Sequence, residues 1–215
     1  MKKIHVLICM IALLSVTSCV NLDLNPPSAA SSENWFSSPE EVRISLNDFY
    51  RSTFFVIEEG WTLDRNTDDW AQRTNIYTIA AGSLNASSTS NPNIKTVWSY
   101  TYKNISRANR ILEALDKLEG KYSTTELNTL RAEARFFRAY FYFNLVKRFG
   151  DVPYVLRTLD MDSEELMGPR VPKEQVIAGI IEDLEFAETH IPLKSKLPTD
   201  VGRLTKGAAP VSYTH

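Results

Sequence analysis

The sequence predicts a mainly α-helical protein with a long loop-rich insertion. Apolar side chains return every three or four residues over several stretches, which is the spacing of helices that bury one face. Prolines, glycines and capping residues separate these stretches. Because 43% of the residues are hydrophobic and 11% are aromatic, the chain has enough apolar material for a packed core, which argues against general disorder.

The N-terminus has the layout of a signal peptide. The cationic residues Lys2 and Lys3 precede an apolar stretch, Ile4 to Val16, that only His5 interrupts. At a rise of about 1.5 Å per residue this stretch makes roughly 20 Å of helix, which is shorter than the ~30 Å hydrocarbon core of a bilayer. Export therefore explains the segment better than a permanent transmembrane helix does.

Small residues directly before a cysteine indicate where the signal ends. The sequence from Val16 to Cys19, VTSC, resembles a lipobox, whose cysteine is acylated and becomes the first residue of the mature protein. The alternative is an ordinary secretory signal with an incidental cysteine. The only other cysteine, Cys9, lies inside the signal, so the mature chain keeps one thiol and has no disulfide. We expect a signal over residues 1–18 and a lipid anchor on Cys19 that holds the protein to a membrane it does not span.

A flexible tether is predicted for residues 19–34. Pro26 and Pro27 favour an extended path, and small residues follow them from Ser28 to Ser32. Such a spacer would lift the helical domain, expected over residues 35–209, off the bilayer surface.

The first helix is predicted to begin at a capping box. Ser38 supplies the cap, Pro39 suits the first turn, and Glu41 stands three residues after the cap. We expect this helix to run to about Phe55. From Glu58 to Pro92 the pattern is irregular and rich in Ser, Thr and Asn, which predicts the loop-rich insertion.

Two long helices are predicted after the insertion, the first ending at Gly120 and the second running from Ser123 or Thr124 to Gly150. The apolar stripe of the first consists of Trp98, Tyr102, Ile105, Ala108, Leu112 and Leu115. The stripe of the second consists of Leu127, Leu130, Ala134, Phe137, Phe141 and Leu145. Because Phe136, Tyr140 and Phe143 add apolar surface on other sides, the second helix is expected to be central and nearly surrounded.

Two further helices complete the predicted domain. A connection, Asp151 to Val171, leads to Pro172 and a fourth helix, whose stripe consists of Val176, Ile177, Ile180, Ile181, Leu184 and Ala187. The run from Gly202 to Lys206 starts a last helix, which Pro210 is expected to break within its first two turns. The helix pairs resemble an irregular tetratricopeptide-like array, with a period too loose to fix that architecture from spacing alone.

Charge and motif content exclude several classes of function. The chain has 24 basic and 26 acidic residues, and cleavage of the signal removes two lysines, so no basic stripe for nucleic acid is expected. Only His190 and His215 remain after signal removal, and the sequence has no Gly-x-Ser-x-Gly elbow and no His-Glu-x-x-His pair. We expect no enzyme activity, no cofactor and no metal.

The insertion contains the best candidate for ligand binding. Sugar recognition needs a flat apolar face together with planar groups that pair with hydroxyls. Trp70 could stack on a sugar ring, and the flanking side chains that could supply hydrogen bonds are Asp68, Asp69, Gln72 and Arg73. The alternative is that Trp70 packs onto its own scaffold. Trp61 and Asn75 are second choices.

Other polar and aromatic residues are expected to be structural. Trp98 lies on a helical stripe and is assigned to the core. Structural ion pairs, rather than anion sites, are expected for Arg131, Arg135 and Arg138. An acidic cluster resembles a calcium loop but lacks its glycine and its spaced final carboxylate; its members are Asp160, Asp162, Glu164 and Glu165.

Four segments of the sequence, in order, resemble the SusD/RagB family. The longest, LRAEARFFRAYFYFNLVKRFGDVPY from Leu130, is similar to the signature helix of that family and its Gly-Asp-Val-Pro exit. The other three are VWSYTYKNISRANRILEAL from Val97, VIAGIIEDLEFAETHIP from Val176 and GRLTKGAA from Gly202. With the lipobox and the start near Trp35 they cover nearly all of the mature chain.

The resemblance implies a surface-exposed lipoprotein of the outer membrane, built on tetratricopeptide-like helix pairs. Such proteins serve polysaccharide utilisation: they capture an oligosaccharide, or a peptide, and pass it to a TonB-dependent SusC-like transporter without breaking a bond. The family pattern assigns no sugar-contacting residue to this chain. The alternative is a helical-repeat surface lipoprotein that acts as a protein-interaction scaffold without glycan binding.

The resemblance also bears on the C-terminus. Family members continue the last helix with further small and apolar residues, whereas this chain passes through Pro210 into an atypical tail, residues 210–215. We therefore expect an incomplete domain that results from a truncated or frameshifted reading.

Overall fold

The computed structural model describes residues 35–51, 92–197 and 202–214. The signal, Cys19 and the tether lie outside these residues, as does the insertion between positions 52 and 91. The predictions made for those segments therefore stay predictions.

The described residues are mainly helical, which confirms the predicted fold class. The α-helices are α1 (Pro39–Asn47), α2 (Pro92–Lys117), α3 (Thr124–Phe149), α4 (Lys173–His190) and α5 (Ala208–Thr214). Short 3-10 turns occupy Asp48–Tyr50, Glu164–Met167 and Lys194–Lys196. An isolated antiparallel bridge joins Val152 to Val171 and closes the connection between α3 and α4 at its base. Over the part of the chain that the structure describes, no helix has both the length and the apolar character needed to cross a membrane.

Helix α1 begins at the predicted capping box but ends earlier than predicted. The Ser38 hydroxyl accepts a hydrogen bond from the Glu41 amide at 3.4 Å, and the Glu41 carboxylate accepts one from the Ser37 amide at 2.6 Å. Hydrogen bonds from Ser37 lower the pKa of Glu41. The predicted end at Phe55 is wrong, because the α-helix stops at Asn47 and tightens into a 3-10 turn. That turn places Phe49 in the core, where its ring stacks on Phe137 at 4.9 Å.

Helices α2 and α3 form an antiparallel pair, with α3 at the centre. Gly120 and Gly150 follow the two helices with φ of 74° and 66°, a left-handed backbone that glycine adopts without steric cost. All members of the α3 stripe are buried, and α3 packs against α1, α2 and α4. The side of α3 that carries Phe143 is open, since that residue is 49% exposed. On α2, Ile105, Ala108 and Leu115 are buried, while Trp98, Tyr102 and Leu112 are partly buried against the same core.

Helix α4 packs on α3 through part of its predicted stripe. Its buried apolar residues are Val176, Ile180, Leu184 and Ala187, whereas Ile177 and Ile181 face outward and are each 39% exposed. Gly179 allows Tyr154 to approach the helix, because a Cβ atom at this position would lie 1.8 Å from the tyrosine hydroxyl oxygen. The Tyr154 ring also makes an edge contact with Tyr142, at 4.9 Å between centroids.

Helix α5 runs through Pro210, so the predicted break at that residue is wrong. Pro210 is the third residue of the helix, where the backbone N–H has no partner within the helix and its loss costs little. Ala209 is buried against Ala132, Ala187 and Ile191, which fixes the start of α5 on α3 and α4.

We predict that Gly179→Ala destabilises the protein by about 1–2 kcal/mol in urea unfolding. The added methyl group would force the Tyr154 ring away from α4 and from Tyr142, a form of overpacking. Gly207→Ala is the matched control, because a Cβ atom there would meet no heavy atom within 4 Å. In a Tyr154→Ala background the penalty should disappear, and Ala should be the more stable residue at position 179 because of its higher helix propensity. A loss of stability at position 179 no larger than at position 207 would contradict the close packing.

Candidate functional site

A buried ion pair joins the centre of α3 to α4. Arg138 and Asp183 are 8% and 3% exposed, and the guanidinium donates to both carboxylate oxygens of Asp183 at 2.8 Å. Arg135 adds a second cation, with its Nε atom 2.5 Å from the same carboxylate. Burial alone would lower the pKa of Arg138, but the hydrogen bonds and charge of Asp183 outweigh that effect and raise it. Arg131 pairs with Asp116 and Glu119. All three arginines of α3 thus form ion pairs within the fold, as predicted.

The ion pair extends through Asn109 to the connection between α3 and α4. Arg138 donates to the Asn109 side-chain oxygen at 3.1 Å. The Asn109 amide group donates in turn to the backbone carbonyls of Val155 and Arg157, at 3.0 and 3.1 Å. We call the residues Arg138, Asp183, Asn109 and Tyr142 the polar clamp, because together they hold this backbone.

Tyr142 contributes to the polar clamp through its hydroxyl group. The hydroxyl oxygen lies 2.7 Å from both the amide nitrogen and the carbonyl oxygen of Val155, so it accepts one hydrogen bond and donates another. Burial raises the pKa of Tyr142, which keeps the phenol protonated and able to donate. On α2, Tyr102 donates to the carbonyl of Pro153 at 2.8 Å. The start of the connection is thus tied to both α2 and α3.

Beyond the polar clamp, polar contacts also order the outer part of the connection, residues 156–167, which we call the 156–167 loop. Glu113 accepts a hydrogen bond from the Thr158 amide at 2.6 Å, and Arg157 pairs with Glu165 at 2.5 Å. The hydroxyl of Ser163 accepts from the amide of Asp160 at 2.9 Å. Hydrogen bonding to Arg157 lowers the pKa of Glu165.

Four apolar side chains of the 156–167 loop are exposed to solvent despite this order. The exposed fractions are 48% for Leu156, 99% for Met161, 53% for Leu166 and 93% for Met167. The acidic cluster predicted not to bind calcium lies on the same loop. Within the described residues, no group of three or more His, Cys, Asp or Glu side chains is placed to hold a metal ion.

A second buried carboxylate ties the segment before α5 to α1 and α3. Glu133 is 4% exposed, and Arg203 donates to its two oxygens at 2.7 and 2.9 Å. Arg203 also donates to Asn47, and the Tyr50 hydroxyl accepts from the Leu204 amide at 3.1 Å. Burial raises the pKa of Glu133, and the charge of Arg203 opposes that rise.

This geometry suits a scaffold better than a reaction centre. Asp183 and Glu133 are each bound by arginine, so neither carboxylate stands ready to exchange a proton with a substrate. The cavity beside Glu133 has a volume of about 40 Å³, which is far below the several hundred Å³ of ordinary ligand pockets. That cavity can hold water but no sugar.

The predicted binding residues lie outside the described residues. This applies to the lipidation site Cys19 and to Asp68, Asp69, Trp70, Gln72 and Arg73. Trp98, predicted to be core, is partly buried and contacts Tyr102 and Phe149, both at 5.0 Å between ring centroids. The Arg170 guanidinium lies 5.5 Å from the Trp98 ring centroid and covers one face.

Sequence reasoning missed Asn109 and the pairing of Glu133 with Arg203. Asn109 is fully buried on α2, but its sequence neighbours Ala108 and Arg110 give no local signal of that burial. Glu133 and Arg203 are 70 residues apart, so no local pattern joins them.

A family model named SusD-like_3 and described as "Starch-binding associating with outer membrane" matches residues 22–213. The SusD-like protein P2 of Formosa agariphila is 25% identical over 206 residues, which are 89% of this chain and 39% of that protein. The chain therefore spans about two fifths of the length of this relative.

Two solved structures show the same helical frame. A SusD-like protein from Bacteroides fragilis is 28% identical, with a TM-score of 0.68 over 83% of this chain and 34% of that one. A SusD-like carbohydrate-binding protein from the same organism has a TM-score of 0.64 and covers 81% of this chain and 36% of that one; at 24% identity it supports the fold alone.

We predict that Asp183→Asn lowers the free energy of unfolding by about 3–5 kcal/mol, because it leaves Arg138 buried without a counter-charge. The matched control is Asp116→Asn, which removes a carboxylate that is 66% exposed from Arg131 and should cost less than about 1 kcal/mol. Equal losses for the two variants in urea titrations would show that the polar clamp does not stabilise the fold.

Proposed function

This chain belongs to the SusD-like family, and from that premise we propose that it captures oligosaccharide or peptide nutrients and delivers them to a TonB-dependent SusC-like transporter. The observation that carries the proposal is the match of the family model to residues 22–213, a range that contains nearly all of the described helical frame. The likeness to a solved SusD-like protein at a TM-score of 0.68 supports the same frame.

In this proposal the helices position the ligand site and do not themselves contact the nutrient. The polar clamp and the core around α3 give a rigid frame, and the insertion joins it between Arg51 and Pro92. Asp48, close to the start of the insertion, pairs with Arg107 on α2 at 2.7 Å, which ties the segment before the insertion to the helix that follows it. A loop mounted in this way can present ligand groups in a fixed geometry.

The residues that we propose for nutrient contact are those of the insertion. Trp70 would stack on the apolar face of a sugar ring, and Arg73 and Gln72 would pair with its hydroxyl groups. Asp68 and Asp69 would accept hydrogen bonds from the same hydroxyls. In this proposal the ligand is bound and released without cleavage. The pairing of the described buried carboxylates, Asp183 and Glu133, with arginines is consistent with this role.

The proposed location is the surface of the outer membrane, with the acyl chains on Cys19 as the anchor. A lipid anchor keeps a nutrient-capturing protein beside a transporter in the same membrane and raises their effective concentration. The second candidate is a scaffold role without glycan binding, which the exposed apolar side chains of the 156–167 loop favour.

We predict that Trp70→Ala weakens oligosaccharide binding by about tenfold, the loss expected from removal of a stacking contact worth roughly 1.4 kcal/mol. The measurement is calorimetric titration of the anchored protein with an oligosaccharide identified on a glycan array. The control is Phe143→Ala, which removes an exposed aromatic side chain from α3. If the unaltered protein binds no glycan but co-purifies with the transporter, the scaffold role replaces nutrient capture, and release of reducing ends would show an enzyme.

We predict that Cys19→Ala moves the protein from the outer-membrane fraction to the soluble fraction and abolishes incorporation of radiolabelled palmitate. Acyl chains contribute about 0.8 kcal/mol per buried methylene group, so their loss should release the protein. Cys9→Ala is the control, because this cysteine lies within the predicted signal and its loss should leave the anchor intact. Membrane retention of the Cys19 variant would disprove lipid anchoring at this residue.

A further inference from the structure

The methionines of this chain are distributed unevenly. The sequence has four of them, and Met1 and Met10 lie within the predicted signal. The other two, Met161 and Met167, both belong to the 156–167 loop. Once the signal is removed, the methionine sulfur of the protein is therefore confined to a single loop.

The core of the described residues contains no methionine. Its buried apolar side chains are those of Val, Leu, Ile, Phe, Ala and Tyr. A methionine thioether is readily oxidised to the sulfoxide, and a sulfoxide formed inside a core places a polar oxygen among apolar groups and disrupts their packing. Over the described residues, the helical frame offers an oxidant no such group.

The two methionines of the loop are accessible to small reagents. Met161 is 99% exposed and Met167 is 93% exposed. A molecule as small as hydrogen peroxide can approach a sulfur atom at this exposure without any opening of the fold. The chain thus combines a core without methionine with two thioethers that face solvent.

The shape of the loop does not depend on these two side chains. Glu113 accepts a hydrogen bond from the Thr158 amide at 2.6 Å, and Arg157 pairs with Glu165 at 2.5 Å. Both contacts use backbone or charged groups, so an oxygen atom added to a methionine sulfur breaks neither of them. Oxidation should therefore leave the loop in place.

We propose that Met161 and Met167 form an oxidation site, at which hydrogen peroxide converts each thioether to the sulfoxide while the helical frame stays intact. In each reaction the sulfur lone pair attacks one peroxide oxygen and the O–O bond breaks. The second oxygen takes up the proton of the first and leaves as water. The sulfur is oxidised by two electrons, and the peroxide is reduced by two.

The products change the character of the loop surface. Each sulfoxide is a polar side chain in place of a flexible apolar one. Enzymatic reduction of the two sulfoxide epimers needs two classes of reductase, and exposure at this level lets both reach the sulfur. The site is therefore reversible, and it does not depend on whether the chain binds a nutrient.

The test treats the anchored chain in detergent with excess hydrogen peroxide and follows each methionine by peptide mass spectrometry. Met161 and Met167 should each gain one oxygen at a rate within about threefold of that of N-acetylmethionine amide in the same detergent. The urea midpoint of the fully oxidised protein should equal that of the untreated protein, because changes to exposed side chains alter stability little.

The matched control introduces a methionine into the core. Leu130 is 1% exposed, and Leu130→Met keeps the side-chain volume nearly constant. The introduced methionine should react at least about tenfold more slowly than Met161, because the peroxide must wait for an opening of the fold. Its oxidation should lower the urea midpoint. A second variant, Met161→Leu with Met167→Leu, should gain no oxygen under the conditions that fully oxidise the unaltered chain.

Each outcome decides the inference. Rapid oxidation of both loop methionines with an unchanged urea midpoint, together with slow oxidation in the Leu130→Met control, supports the site. A rate for Met161 or Met167 more than about tenfold below the reference would overturn it, because the sulfur would then be covered. A fall of the midpoint that the double leucine variant does not show would overturn the claim that the frame is spared. Oxygen uptake by the double leucine variant would assign the reaction to another residue and also overturn the site.

Discussion

The buried carboxylate of Asp183 is the group on which the arrangement of α2, α3 and α4 depends. Moving this charge out of water costs several kcal/mol, and the fold recovers that cost only because two arginines of α3 approach it at 2.5–2.8 Å. Apolar stripes alone would allow α4 to slide along α3 by one turn with a modest loss of burial. A slide of that kind would leave Asp183 and Arg138 buried without each other, so the ion pair fixes the register of the two helices.

The same charges determine how the connection after α3 leaves the core. Arg138 has a further N–H group once Asp183 is satisfied, and it donates that group to Asn109. Asn109 can then direct its amide N–H groups at the backbone carbonyls of Val155 and Arg157. The backbone at Val155 is held by polar atoms rather than by buried apolar side chains. The side chains that follow can therefore face solvent. A loop stabilised by its own apolar residues would have to bury them.

Much of the frame could be predicted from the sequence because helical periodicity encodes which face of a helix is buried. The stripe of α3, the capping box at Ser38 and the glycine stops at Gly120 and Gly150 are local signals, and the structure has them at the predicted positions. The end of α1 was missed because Phe49 turns inward to meet Phe137, a contact that depends on a helix distant in sequence. The break at Pro210 was wrong because the effect of proline depends on its position within the helix, and in the first turn it removes no hydrogen bond.

The polar contacts of the candidate site could be predicted only in part, for a related reason. Three arginines on α3 indicate ion pairs, but tertiary packing determines their partners. Asp183 is 45 residues from Arg138 along the chain, and Val155 is 46 residues from Asn109. Periodicity also assigns no orientation to an irregular segment, so the exposure of Met161 and Met167 could not be foreseen.

In the described residues, the stability of the helices and the exposure of the 156–167 loop depend on different side chains. Stability resides in α3 and its partners, where each buried charge must be matched by a neighbour of opposite charge. The side chains of Met161 and Met167 contribute little to that stability, because they are almost fully exposed. Substitutions of these two residues can alter what the surface contacts at small cost to folding. The buried charges of α3 and α4 therefore constrain the sequence of the core, whereas the exposed positions of the 156–167 loop can vary.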